Sequence, residues 1–94
     1  MGERRKGEQA SQRQSQEFGL RLQRRRRDLG LTQEAVANTA GLSRTYYGSL
    51  EKGVGDRSRN EPANPSMVAL IQVAGALDCS VGDLVDGLGG TVEV

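Results

Sequence analysis

Residues 32–53 read TQEAVANTAGLSRTYYGSLEKG and carry the signals of two short helices joined by a tight turn. Thr32 is suited to cap the first helix, because its hydroxyl can accept a backbone N–H two or three residues further on. Gly41 can adopt the positive φ angle that ends a helix sharply. Ser43 is placed to cap the second helix, which Gly53 ends. The spacing therefore predicts a helix-turn-helix hairpin.

Apolar residues mark the inner side of both predicted helices. On the first helix Val36, Ala37 and Ala40 form one stripe. On the second helix Tyr47 and Leu50 point inward. An ordinary αα-hairpin packed for core reasons alone would show a similar pattern.

The stretch from Thr32 to Gly53 resembles the helix-turn-helix of the phage Cro/cI-type repressors, the XRE family. The residues that match the family pattern are Gln33, Ala37, Gly41, Tyr47, Leu50 and the ending Glu51-Lys52-Gly53. The resemblance extends from about Phe18 to Asp86. It implies an all-α, five-helix, phage-repressor-like domain that binds double-stranded DNA as a homodimer and regulates transcription, more often as a repressor. The run Arg44-Thr45-Tyr46 is also similar, over these few residues only, to the recognition helix of controller proteins from restriction–modification systems.

The second helix is expected to read bases, since the family places the first residues of this helix at base edges. Arg44 can donate two hydrogen bonds to guanine O6 and N7, and Thr45 offers a methyl or a hydroxyl group. Ser49 matches another position that the family uses at bases. Gly48 lies between them at a site with no evident packing demand, and we expect a side chain there to strike the DNA.

Phosphate contacts are expected around this helix. The resemblance assigns a phosphate to Gln33, whose alternative role is to cap its own helix. Ser43 and Tyr46 are further candidates. In the long loop 54–64 Arg57 could extend the contact, although a tolerated surface insertion is equally compatible with the sequence. The resemblance also implies a structural ion pair between Arg26 and Glu51.

The chain divides into three predicted parts. Residues 1–15 are polar and basic and predict a flexible N-terminal arm, for which a solvated tail is the alternative. Residues 16–87 form the helix-turn-helix domain, and residues 88–94 form a C-terminal tail. The first helix is predicted over 16–28, with Phe18, Leu22 and Leu29 as its apolar stripe, and its Arg21 and Arg24 either contact phosphates or remain solvated.

Two further helices are predicted after the long loop. Pro65 and Ser66 open the fourth helix. Its predicted buried stripe consists of Met67, Leu70, Ile71, Ala74 and Leu77. Val68 and Val73 are left on another side. Ser80 caps the fifth helix. The resemblance implies that the fifth helix packs a dimer interface, for which Val81, Val85 and Leu88 are candidates, with core closure as the alternative.

Charge is unevenly distributed along the 94 residues. Residues 1–31 contain nine basic and four acidic residues, a net +5, whereas residues 60–94 contain five acidic and no basic residues. This polarity favours a polyanionic partner at one end of the molecule.

The sequence lacks residues that several classes of function require. The chain has no histidine, one cysteine and no Gly-x-x-x-x-Gly-Lys phosphate loop, so neither an enzyme nor a metal or cofactor site is expected. No apolar run is long enough for a membrane span, and we expect a cytoplasmic, nucleoid-associated protein. Two alternatives to a stand-alone regulator stay open. One is the antitoxin of a toxin–antitoxin pair that represses its own operon, and the other is a protein-interaction module that has lost DNA binding.

Overall fold

The computed structural model describes residues 2–54 and 63–88, with side chains described from residue 12 onward. Its elements are all α-helices: α1 (Gly2–Asp28), α2 (Gln33–Ala40), α3 (Arg44–Lys52), α4 (Met67–Ala76) and α5 (Val81–Val85). The predicted all-α fold with five helices is confirmed.

The helix ends follow the local chemistry of the sequence. Four hydroxyl side chains accept a backbone N–H at helix starts: Thr32, Ser43, Ser66 and Ser80. At α5 the cap is reciprocal, because the Asp83 carboxylate also accepts the backbone N–H of Ser80. Gly41 and Gly53 end α2 and α3 with a φ angle of 74° each, as predicted.

The helices enclose one small core. Helix α1 packs on α3 and α5, α2 packs on α3 and α4, and α4 packs on α5. The core residues come from all five helices and the start of the described segment before α4: Phe18, Leu22, Val36, Ala37, Ala40, Tyr47, Leu50, Ala63, Val73, Ala74, Leu77 and Leu84. The inner residues predicted for the helix-turn-helix are therefore buried, and α3 presents its remaining side to solvent.

Helix α1 is longer than the sequence pattern predicts, since it begins at Gly2 and not at Gln16. Residues 2–15 contain no proline and are rich in Arg, Gln and Glu, which favour helix even without an apolar face. The described side chains begin at residue 12, so the proposed arm on DNA stays a prediction. Leu29, assigned to the apolar stripe, follows the end of α1 and is exposed.

The buried face of α4 also differs from the prediction. Val73 is fully buried, together with Ala69, Ala74 and Leu77, whereas Met67 and Ile71 are exposed. Helix α4 contains no charged residue that would mark its outer side, so periodicity alone could not fix which apolar residues face inward.

Helices α1 and α3 approach each other very closely. A Cβ atom on Gly19 would overlap the carbonyl oxygen of Glu51 and lie 2.7 Å from that of Leu50. Gly53 combines its positive φ with a backbone contact, because a Cβ atom there would lie 2.8 Å from Gln16 Cα. The Gln23 side-chain amide donates to the Glu51 carbonyl at 3.0 Å. The C-terminal end of α3 is thereby fixed against α1.

The two ends of the long loop meet at this contact. The Ala63 N–H donates to the Gly53 carbonyl at 3.3 Å, and the Ser15 hydroxyl donates to the Ala63 carbonyl at 3.0 Å. Arg57 and most of the predicted loop 54–64 lie outside the described residues, as does most of the tail 88–94.

Candidate nucleic-acid interface

The outward side of α3 carries the three predicted base-reading residues together. Arg44 and Thr45 are exposed in its first turn, and Ser49 follows one turn later, half-exposed. Arg44 has no ion-pair partner within the described part of the chain, so its guanidinium keeps all its donors available. Gly48 lies between these residues, and a Cβ atom on it would meet only the Gln33 Oε1 atom, at 3.8 Å.

Two serines on this side already make hydrogen bonds within α3. The Ser43 hydroxyl oxygen accepts the Tyr46 N–H at 3.0 Å, and the Ser49 hydroxyl donates to the Tyr46 carbonyl at 2.6 Å. Ser43 therefore keeps its O–H as a donor, whereas Ser49 keeps its lone pairs as acceptors. Tyr46 itself is about one-third exposed.

Behind α3 lies a partly buried ion pair between Arg26, whose side chain is 14% exposed, and Glu51. The Arg26 Nε atom donates to Glu51 Oε2 at 2.6 Å, and Nη2 donates to Oε1 at 3.1 Å. The third guanidinium nitrogen, Nη1, donates to the Leu31 carbonyl at 3.0 Å. Glu51 is only 3% exposed. This paired arrangement ties α1 to α3 with two parallel charge-assisted hydrogen bonds.

The network holds Glu51 ionised. Burial by itself raises the pKa of the Glu51 carboxyl, but hydrogen bonds from Arg26 and Gln33 outweigh it, and the pKa lies below its ordinary value. Hydrogen bonding to Glu51 in turn raises the pKa of Arg26. The neighbouring Tyr47 hydroxyl is buried and meets no hydrogen-bond partner among the described residues. Burial of this hydroxyl raises the pKa of Tyr47.

Gln33 extends this network to the surface. It is the first residue of α2 and is half-exposed. Its Nε2 atom donates to Glu51 Oε1 at 2.9 Å. Gln33 does not cap α2, which was its alternative role, because the Thr32 hydroxyl accepts the Ala35 N–H there. Gln33 therefore connects the buried ion pair to the N-terminus of α2, where backbone N–H groups are free of helical partners.

Several arginines of α1 serve the fold. Arg25 donates to the carbonyls of Leu77 and Asp78 at 2.8 Å each, at the C-terminal end of α4. Arg21 donates to the Asp86 carbonyl at 2.6 Å, just after α5, and pairs with Glu17. These contacts could not be predicted from the sequence, because their acceptors are backbone carbonyls more than 50 positions away. Arg13, Arg24 and Arg27 are exposed.

The described residues contain no cluster of His, Cys, Asp or Glu able to hold a metal ion. No described helix is both long enough and apolar enough to cross a membrane.

Helices α2 and α3 form a helix-turn-helix in which the second helix begins with the exposed Arg44. This arrangement is typical of a DNA-binding helix-turn-helix protein. Residues 17–86 match the family model described as "Helix-turn-helix domain", and the chain belongs to that family, as an XRE (Cro/cI-type) DNA-binding transcriptional regulator.

Two curated regulators resemble the chain. The uncharacterized HTH-type transcriptional regulator y4dJ of Sinorhizobium fredii is 39% identical over 67 residues, which cover 71% of this chain and 77% of that protein. The HTH-type transcriptional regulator SinR of Bacillus subtilis is 34% identical over 69 residues, which cover 73% of this chain and 56% of SinR.

A solved structure matches the fold. The restriction-modification controller protein C.AhdI from Aeromonas hydrophila superposes with a TM-score of 0.63 at 36% identity, covering 73% of this chain and 92% of that one. The sequence similarity to such controller proteins at Arg44-Thr45-Tyr46 therefore has a counterpart at the level of the whole domain.

Proposed function

We propose that the protein is a sequence-specific repressor that binds a palindromic operator as a homodimer. The observation that carries this proposal is the exposed Arg44, which has no ion-pair partner among the described residues and lies in the first turn of a helix whose other side is packed. A helix held in this way can enter the major groove with its N-terminal residues toward the bases. A dimer seated in two successive grooves represses transcription where its operator overlaps a promoter, because it then excludes the polymerase.

Base reading is assigned to Arg44, Thr45 and Ser49. Arg44 is suited to a guanine, to which its guanidinium can donate two hydrogen bonds. Because the Ser49 hydroxyl already donates to a carbonyl, it faces a base as an acceptor, which suits the amino group of adenine or cytosine. Thr45 is exposed and offers its methyl group to a thymine.

Phosphate binding is assigned to Gln33, Ser43, Tyr46 and Arg57. The first three surround the N-terminal ends of α2 and α3, where free backbone N–H groups and the helix dipoles favour an anion. Ser43 retains its O–H for this role, since only its oxygen is used in capping α3. Arg57 enters the proposal from the sequence alone.

The homodimer is supported by an exposed apolar surface on α4. Met67, Val68 and Ile71 are 67%, 62% and 56% exposed, and α4 has no charged residue. A two-fold contact places the same surface of both copies together, and an uncharged surface meets no repulsion there. Val81, Val85 and Leu88, the candidates from the sequence, are half-buried and pack against the core of their own chain. We therefore place the main apolar contact on α4.

Gly48 provides a test of how closely α3 approaches DNA. Within the chain its Cβ atom would make only an ordinary contact, so Gly48→Ala should stabilise the fold by up to about 1 kcal/mol by restoring helix propensity. If α3 lies in the groove, the added methyl group should weaken operator binding. Thermal unfolding and a binding titration measure the two effects separately. Gly82→Ala, at an exposed glycine of α5, is the matched control and should leave DNA affinity unchanged.

The proposal is tested by selecting bound duplexes from a random-sequence pool. We expect a palindrome whose half-sites are separated by about 34 Å, one turn of the duplex. Arg44→Ala should lose about 1–3 kcal/mol of binding free energy and relax specificity at one base pair of each half-site. A salt titration of both proteins separates phosphate contacts from base contacts. Binding that is weak, indifferent to sequence and abolished by moderate salt would contradict the proposal and favour a protein partner.

A further inference from the structure

A single carboxylate oxygen joins the buried ion pair to a residue at the proposed DNA surface. Glu51 Oε1 accepts hydrogen bonds from Arg26 Nη2 at 3.1 Å and from Gln33 Nε2 at 2.9 Å. An ionised carboxylate can only accept hydrogen bonds, so it selects the NH₂ end of the Gln33 amide and excludes its carbonyl end. The orientation of this surface amide is therefore set by a group that is itself buried.

The Gln33 amide keeps binding capacity after this contact. Its NH₂ group has two N–H bonds, and one of them points to Glu51. No acceptor for the second appears among the contacts of the described residues. The amide oxygen lies toward Gly48, 3.8 Å from the position of a Cβ atom on that residue. Gln33 is thus held between the start of α2 and the outward side of α3.

Each of the three guanidinium nitrogens of Arg26 makes a hydrogen bond within the protein. Nε and Nη2 donate to Glu51, and Nη1 donates to the Leu31 carbonyl. Arg26 and Glu51 therefore neutralise each other within the protein, and Gln33 connects this ion pair to the surface through its hydrogen bond to Glu51.

We propose that Glu51 is a positioning residue for DNA binding: it orients the Gln33 amide so that the second N–H is presented to a backbone phosphate at the start of α2. The phosphate oxygen and Glu51 Oε1 are then acceptors of the same NH₂ group. A glutamine without this partner can rotate its amide, and in half of the orientations it presents a carbonyl oxygen, which repels a phosphate. This inference rests on the proposed function, because it assumes that Gln33 faces DNA.

A thermodynamic cycle tests whether Glu51 acts through Gln33. Arg26→Leu combined with Glu51→Leu removes both charges of the pair at once, so that neither is left without its partner. Affinity for the selected operator duplex is measured for the wild type, Gln33→Ala, the paired variant and the triple variant. We expect Gln33→Ala to lose about tenfold in affinity, the size of one hydrogen bond to a charged oxygen. The paired variant should lose about twofold, because half of the amide orientations still present an N–H. The triple variant should lose no more than Gln33→Ala alone, because Glu51 has nothing to orient once the amide is gone.

Purely structural roles give a different outcome. Losses that multiply in the triple variant, or a paired variant that binds as tightly as the wild type, would overturn the inference while leaving the proposed function intact. If the wild type itself selects no DNA sequence, the proposed function fails and the inference falls with it.

Nuclear magnetic resonance of the wild type gives a second readout that needs no variant. In the free protein, the Gln33 side-chain amide proton that is bonded to Glu51 should resonate downfield of the range usual for glutamine amides, because its acceptor is a carboxylate. On addition of operator DNA the second proton should shift while the first stays in place. A shift of the first proton alone, or of neither, would contradict the proposal even if the paired variant failed to fold.

Discussion

Gly19→Ala is expected to destabilise the protein by about 3 kcal/mol or more, as an overpacked contact that cannot relax. The added methyl group would overlap the carbonyl oxygen of Glu51 and crowd that of Leu50. Both obstacles are backbone atoms at the end of the recognition helix, so no side chain can rotate away. Helix α1 would have to separate from α3, which also weakens the ion pair between Arg26 and Glu51. Chemical denaturation followed by circular dichroism measures the loss.

Gly75→Ala is the matched control for this substitution. Gly75 also lies within a helix, but no atom of the described chain comes within 4 Å of the position of its Cβ atom. Alanine there should stabilise the fold by up to about 1 kcal/mol, because glycine is a poor helix former. Opposite signs for the two variants would show that close approach, and not helix propensity, decides the effect at Gly19. Equal stabilisation of both variants would mean that α1 and α3 do not touch as described.

The helix-turn-helix was predictable because its signals are local. A cap such as Thr32 or Ser43 acts on a backbone N–H three residues away, and a glycine such as Gly41 acts through its own φ angle. No knowledge of the rest of the chain is needed for either. The outward position of Arg44 follows from the same local register, since Tyr47 and Leu50 fix the inner side of α3.

The contacts of α1 were not predictable in the same way. Four successive arginines occupy positions 24–27, and the helical period gives them different directions without naming their partners. Arg25 donates hydrogen bonds to carbonyl groups at the end of α4. Gly19 has no side chain and so allows the backbone of α3 to approach α1 closely. Both depend on where a distant helix end lies. The basic charge of the N-terminal third is accordingly shared between fold and surface, and less of it remains for DNA than its net charge indicates.

The hydrogen bond from Gln33 to Glu51 is the part of the candidate site that could not be predicted from the sequence. The resemblance assigned each residue a role, a phosphate for one and an ion pair for the other. Only the folded arrangement brings the Gln33 amide within 2.9 Å of the carboxylate. A buried structural pair and a surface contact, separate in the sequence, are parts of one network in the structure.

Glu51→Ala is expected to destabilise the protein by about 3–5 kcal/mol, the second large effect. The substitution leaves the partly buried Arg26 guanidinium beside α3 with two of its donors unpaired, which costs more than the net value of the pair. It also leaves a cavity next to the Tyr47 hydroxyl, which has no hydrogen-bond partner within residues 2–54 and 63–88. Denaturant titration of Glu51→Ala against the paired variant Arg26→Leu/Glu51→Leu measures this difference. If both lose equal stability, an uncompensated charge is not the cause.

The same pair predicts how stability depends on pH. The pKa of the Glu51 carboxyl is lower in the folded protein than the value of 4.5 expected for an unfolded chain. Its contribution is therefore fully present above about pH 4.5 and is lost as the pH falls through the lower folded pKa, because protonation removes the partner of Arg26. Thermal unfolding between pH 7 and pH 2 should show a steeper acid loss for the wild type than for the paired variant. Asp83, whose pKa is also lowered by its capping hydrogen bonds, remains in both proteins and cancels in the comparison. Parallel pH profiles would assign the acid loss to groups other than Glu51.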